Sequence, residues 1–220
     1  MIVKPLVEGP QNIIAGVFDG IPRYSVSKRL LVADPTQMLL MARSTVQSQR
    51  NTIFQLTLPI TDTMDIPAVQ LLNIPVSDQY SSVYVQDLNV GIFMSATVPA
   101  IAVKFDVSTV ALVEQYAFST TDGPIICAAL SGSYIYAVSG SIPPQLIRMV
   151  PGTATAGLAK DTSVAVSSTA VATSLLVSNG YAYIPVDDSY ATVWKIDATL
   201  MTVTSSVQLR SSPDSALLGN

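Results

Sequence analysis

Lys195 lies 47 residues after Arg148, and Arg148 lies 44 residues after Lys104. The 47-residue offset also pairs Tyr181 with Tyr134, Tyr183 with Tyr136 and Ser178 with Ser131, without a gap over more than twenty residues. The 44-residue offset pairs Val138 with Met94, Tyr136 with Ile92, Tyr134 with Val90 and Pro143 with Pro99. Self-similarity at such a period means one supersecondary unit used repeatedly, each copy burying its apolar face on the next. Gln55 stands 49 residues before Lys104, which places a first, looser copy upstream, its longer loops absorbing the difference.

Within each copy the apolar residues alternate with period two, as in Ala102-Val103-Lys104-Phe105-Asp106 and Thr192-Val193-Trp194-Lys195-Ile196-Asp197. Helical repeats of similar length would need spacing near 3.6. Strands are expected at Lys28–Ala33, Gln37–Ala42, Thr52–Leu58 and Val69–Ile74, with Asp34-Pro35 as a turn and polar or Pro-bounded loops between. The second copy holds Ser82–Val85, Val90–Met94, the Lys104 strand and Leu112–Phe118; the third holds Ile125–Leu130, Tyr134–Val138 and the Arg148 strand. The fourth holds Ser174–Val177, Tyr181–Ile184, the Lys195 strand and Val203–Leu209. Units of 44 to 49 residues with about four strands each match the blade of a β-propeller. The expectation is an all-β chain: an irregular arm over 1–26, then four four-stranded blades over 27–78, 79–124, 125–173 and 174–220.

Tyr183-Ile184-Pro185-Val186, Thr192 to Thr199, Thr202-Val203-Thr204 and Ser212-Pro213-Asp214 together resemble the YVTN (YncE-like) propeller repeat. That repeat runs Tyr-Val-Thr-Asn, a loop, Val-x-Val-Ile-Asp, a short turn, a strand and a Ser-x-Pro turn. Residues 174–218 carry the resemblance best. Residues 90–124 follow, through Val103 to Val113 and Asp122-Gly123-Pro124. The third copy has Val150 where the Asp belongs, and the first keeps only the pattern. The resemblance implies a propeller fold and, since such repeats occur in surface-layer, envelope and virion proteins, a range of roles. It also implies that Ser212 to Leu218 begins the innermost strand of another blade. An orphan strand there would leave backbone groups unpaired, so the N-terminal segment or another chain is expected to complete its sheet.

Composition narrows the chemistry. Histidine is absent, which removes the commonest general base and metal ligand, and with them Ser-His-Asp, Cys-His and His-zinc sites. Cys127 is the single cysteine, so no internal disulfide forms; its setting, Ile125-Ile126-Cys127-Ala128-Ala129, marks a buried small hydrophobe rather than a reactive thiol. Phosphate loops, Gly-x-Ser-x-Gly elbows and N-x-[ST] sequons are missing, and Glu8 and Glu114 are the only glutamates. No catalytic, cofactor-binding or metal site is expected, and no cofactor.

Residues 1–50 hold six Lys and Arg against three acids, and the rest five against twelve. The plain reading is a solvated basic segment beside an acidic body; the alternative is that the basic portion docks on an acidic partner. Nucleic acid is not expected as a partner, for the chain has no Lys/Arg run and a net charge of −4. No stretch offers the roughly 20 apolar residues of a membrane helix, and Met1 to Leu6 is not a secretory signal, so export would need another route or prior removal of a leader.

Four further groups stand out. Asp106 and Asp197 are expected to accept hydrogen bonds from backbone N–H groups of the turns they open. Asp187-Asp188 reads as a solvated turn, with a hard cation as the alternative. Tyr134, Tyr136, Tyr181 and Tyr183 fit packing between blades, or else a stacking platform for carbohydrate or peptide. Trp194 is expected in the core. The function these features favour is a non-enzymatic structural or protein-interaction module of a larger assembly, such as a virion, tail or surface layer. A propeller binding domain for glycan or peptide is the alternative, and a hydrolase or lyase is least supported.

Overall fold

A computed structural model of the protein describes the strand backbone at 24–34, 37–44, 51–57 and 68–71 and the continuous stretch 80–209, with side chains over 81–209. The described residues form four antiparallel sheets of four strands each. The first contains β1 (Tyr24–Asp34), β2 (Gln37–Ser44), β3 (Asn51–Thr57) and β4 (Ala68–Leu71). The second contains β5 (Tyr80–Val85), β6 (Val90–Ser95), β7 (Ile101–Asp106) and β8 (Ala111–Ala117). The third contains β9 (Ile125–Ser131), β10 (Tyr134–Ser139), β11 (Gln145–Val150) and β12 (Ala159–Ala165). The fourth contains β13 (Leu176–Ser178), β14 (Tyr181–Pro185), β15 (Thr192–Asp197) and β16 (Thr202–Gln208). Every sheet is a simple meander, and the first strands neighbour one another in the order β1, β5, β9, β13. This is the blade arrangement that the repeat predicts. The described residues contain no α-helix, and two short 3-10 turns, Gln86–Leu88 and Thr120–Asp122, are the only helical pieces among them.

The register follows the sequence offsets. Ile92 pairs with Lys104, Tyr136 with Arg148 and Tyr183 with Lys195, the same rung of three successive blades. Each outer pair carries a bulge one step beyond its cation, between Lys104 and Phe105, Arg148 and Met149, and Lys195 and Ile196. Side chains alternate between the two faces of a sheet, so each blade serves two interfaces. Val90, Ile92, Met94 and Ala102 from the second blade meet Ile135, Ala137, Ile147 and Met149 from the third. The opposite face of the third blade, with Tyr136, Val138 and Leu146, meets Ala182, Ile184 and Ile196 of the fourth. Most of these residues are fully buried, the Val, Leu, Ile and Met side chains each contributing about 1.5–3 kcal/mol of apolar transfer.

Two expectations change at the level of elements. β1 opens at Tyr24, inside the stretch expected as an arm; residues 1–23 and the Ser212–Leu218 segment lie outside the described residues. The third blade has an outermost strand, Ala159–Ala165, that was not expected from the sequence. Ala-Lys-Asp-Thr-Ser-Val-Ala lacks a clear alternation because an outer strand has one edge in solvent, where polar residues cost nothing.

Candidate interaction site

The recurrent cation ties one blade to the next. Lys104, fully buried, donates from Nζ to the carbonyls of Pro151 at 2.7 Å, Thr153 at 2.5 Å and Ala156 at 3.2 Å. All three carbonyls belong to the β11–β12 turn of the following blade. Glu114 on β8, with its carboxylate 3.8 Å from Nζ, balances the charge and accepts the Leu158 N–H at 2.9 Å. Burial pulls the Lys104 ammonium below the ordinary lysine range, and Glu114 opposes that shift.

Arg148 repeats the device one blade later. Its Nη1 donates to the carbonyls of Ala198 at 3.2 Å and Thr199 at 2.6 Å, in the β15–β16 turn of the fourth blade. Ala198 stands 47 residues after Pro151, so successive cations address the same repeat position. Asp161 neutralises Arg148 through Nε at 2.6 Å, and the Tyr134 ring lies beneath the guanidinium, 4.8 Å from centroid to Cζ. The Tyr136 hydroxyl donates to the Ala198 carbonyl at 3.1 Å, so this tyrosine is interblade packing with its hydroxyl satisfied.

The fourth blade keeps this chemistry without a recipient among the described residues. Pairing places Leu176, Ser178, Tyr181, Tyr183, Pro185, Val193, Lys195 and Val207 on the face turned away from the third blade. Lys195 lies over the Tyr181 ring at 3.8 Å, as Arg148 lies over Tyr134. Lys195 Nζ has no hydrogen bond or ion pair among the described residues, and β16 (TVTSSVQ) supplies no acid to neutralise it. Leu176 is 60% and Val207 59% exposed, and the central-strand residues Tyr183 and Val193 are half-buried, whereas their counterparts Tyr136 and Leu146 in the third blade and Ile92 and Ala102 in the second are buried. The cation was visible in the sequence as a repeat marker; its work across the blade boundary was missed. The signal was there: charges are sparse after residue 50, and three of the five cations recur on otherwise apolar strands.

The other candidate residues resolve into structural roles. Asp106 accepts from the Ser108 hydroxyl at 2.6 Å and the Thr109 N–H at 2.9 Å, and these bonds, the hydroxyl first, hold its carboxyl below the usual range. Asp197 accepts from the N–H groups of Thr199 at 2.9 Å and Leu200 at 2.8 Å. Both turns therefore end on a residue with positive φ, Val110 and Met201. Asp188 accepts from the N–H groups of Tyr190 and Thr192, each at 3.0 Å, so the Asp187-Asp188 pair folds as a turn. Among the described residues no three His, Cys, Asp or Glu side chains gather as metal ligands.

Ser95 and Ser139, 44 residues apart, brace matching loops: each bonds a hydroxyl two residues on (Thr97, Ser141) and accepts an N–H six residues on (Ile101, Gln145). Cys127 is half-buried against the interface of the third and fourth blades, not fully inside, because β9 lies at the edge of its sheet. Trp194 is also half-buried there, facing the third blade, and its Nε1–H is buried without a partner among the described residues. A cleft of about 540 Å³ lies between the second and third blades, lined by Gln86, Asp87, Leu130, Tyr134, Val150 and Gly152 among others. No helix among the described residues is long and apolar enough to cross a membrane.

No family model matches the chain, and no curated protein matches it in sequence. Solved structures do match. The Cps50 (Swd1) β-propeller domain of Myceliophteria thermophila superposes with a TM-score of 0.56 at 8% identity, covering 79% of this chain and 57% of that one. A prolyl endopeptidase gives 0.55 at 14% identity over 84% of this chain and 27% of its own. The computationally designed Ika8 protein gives 0.51 at 10% identity over 81% and 48%. The chain thus spans between about a quarter and three fifths of the length of these structures. At such identities the likeness concerns fold alone. That fold is an all-β array of propeller blades.

Proposed function

We propose that this protein is a non-enzymatic interaction module that builds into a larger assembly, of the kind formed by virion, tail or surface-layer proteins, and that its blades are YVTN-like. The observation that supports this reading is the outer face of the fourth blade, which repeats a surface that is buried wherever a following blade covers it. Exposed apolar residues rimmed by polar ones are the mark of a surface made for a partner. The side chains near reactive chemistry are otherwise engaged: Glu114 with Lys104 and the Leu158 amide, Asp161 with Arg148, and Asp122 with Lys160. The partners are protein subunits, of the same or a different chain, without membrane insertion.

The measurement that tests this reading is the native size of the species carrying the chain in an extract of its source. A particle far heavier than the 23.3 kDa of one chain is expected. A species of one chain would overturn the reading. A glycan- or peptide-binding role has one observation in its favour, the cleft beside Tyr134. Arg148 already occupies one face of that ring, which leaves half a stacking platform. Ligand-observed NMR with oligosaccharides and short peptides, lost in Tyr134→Ala, would favour it.

A further inference from the structure

We infer that the cleft between the second and third blades takes a basic segment of a partner protein, with the methylene stem of a Lys or Arg side chain on its apolar wall and the charged head at Asp87. The inference rests on the interaction-module reading and names the chemistry of one contact. Every residue that lines the cleft is among the described ones.

Three observations carry it. The first is where the repeat is broken. The connection between the first two strands has two residues in the third blade (132–133) and in the fourth (179–180), but four in the second (86–89). The connection between the last two strands has four residues in the second blade (107–110) and in the fourth (198–201), but eight in the third (151–158). Both longer loops border this one cleft, through Gln86, Asp87 and Leu88 on one side and Pro151 and Gly152 on the other. Binding residues concentrate on loops that a rigid scaffold positions.

The second is an unpaired charge. The other four acids between β5 and β12 are engaged: Asp106 by its own turn, Glu114 with Lys104, Asp122 with Lys160 and Asp161 with Arg148. Asp87 is exposed and has no side-chain hydrogen bond or ion pair among the described residues. Lys104 and Arg148 stand behind the walls, against Pro151 and Tyr134, and each has a carboxylate of its own. Asp87 is thus the one charged residue lining the cleft, and a lone carboxylate there favours a cation and disfavours an anion.

The third is the lining. The cleft holds about 540 Å³, within the roughly 300–1,000 Å³ of sites that enclose a small ligand. Leu88 and Val150 are half-buried and Leu130 is 37% exposed, so apolar surface is on offer, and the missing Cβ of Gly132 has nothing within 4 Å. An apolar wall and one carboxylate in the same cleft fit a side chain that buries its stem and keeps its head polar.

Titration of the ¹⁵N-labelled chain with short peptides tests this, the amide signals of Asp87, Gly132 and Gly152 reporting the cleft. The probes are acetylated, amidated hexapeptides with one Lys or Arg between leucines, and matched peptides with Glu in its place. The basic peptides should move those signals with a dissociation constant below about 1 mM, and the Glu peptides should not. Added salt should weaken the binding, since the carboxylate is exposed. Asp87→Asn should weaken it about fivefold, the worth of a well-placed exposed ion pair, and Asp87→Glu should retain it. Asp187→Asn removes the same charge from an exposed position in the β14–β15 connection and should change nothing. Circular dichroism of each variant checks that it folds.

Cleft signals that no basic peptide moves would overturn the inference; beside a heavy particle in the native extract, that result would leave the assembly reading standing with another contact. A single-chain species in the extract together with intact peptide binding would remove the assembly and keep the cleft. Binding unmoved by Asp87→Asn would sink the assignment of the charged head. A response to neutral oligosaccharides and not to basic peptides would overturn the inference in favour of a glycan site.

Discussion

Lys104 and Lys195 are the same residue at the same repeat position, and the protein uses them differently. Lys104 is sealed between blades with three carbonyl acceptors, so Lys104→Met takes the ammonium donor from the Pro151 and Thr153 carbonyls and the counter-charge from Glu114; a loss of about 3 kcal/mol is expected in urea denaturation. Lys195→Met, at an unfilled station, should change the stability of the isolated chain by less than about 0.5 kcal/mol. Asp106 contributes a pH dependence. Folding lowers the Asp106 pKa through the Ser108 hydroxyl and the Thr109 amide. A carboxylate with a depressed folded pKa adds stability that is fully present above its unfolded value near 3.8 and is lost as pH falls through the folded value. Thermal unfolding followed from pH 7 down to pH 2 should therefore show wild type losing stability in the acid range, with a shallower loss in Asp106→Asn.

Hairpins are the elements on which the blades meet, and the β11–β12 turn shows how much one conformation matters. Gly152 adopts φ +70°, and a Cβ there would run into the Ala156 carbonyl and the Gly157 backbone. The same Ala156 carbonyl accepts the Thr153 amide at 2.8 Å and the Lys104 ammonium at 3.2 Å. Gly152→Ala should thus disturb both the turn and the acceptor set, with a cost of at least about 2 kcal/mol in denaturant unfolding. Combined with Lys104→Met it should cost clearly less than the sum, since the two act on one network. Gly132, with φ +58° and nothing near its missing Cβ, is the contrasting corner, where alanine meets strain without collision.

The assembled blades hold together by repetition of two interfaces, apolar rows inside and a cation reaching a turn at the rim. No metal enters that account, so the melting temperature should be unaffected by a strong chelator; a drop of several degrees would reveal a ligand set outside the residues described. The fold also predicts a far-UV circular dichroism spectrum with less than about one quarter helix.

Most of the architecture was legible in the amino-acid order. The offsets of 44 and 47 residues locate all but one of the strands of the second to fourth blades, because period-two burial and a constant repeat length leave few other solutions, and the pairing rungs of the structure recur at the same offsets. Asp106 and Asp197 could be read as turn anchors for the same reason: their partners lie two or three residues away. The outer strand Ala159–Ala165 escaped notice, since a half-solvated edge needs no apolar pattern. The destination of Lys104 and Arg148 was hidden for a different reason. Their acceptors are backbone carbonyls 47 to 52 residues away in sequence, groups that every residue possesses and that become a site only when two blades are stacked. Packing also separates three similar faces into two that are buried and one that no described residue covers. Local sequence cannot do that, because burial belongs to the neighbour that covers a surface.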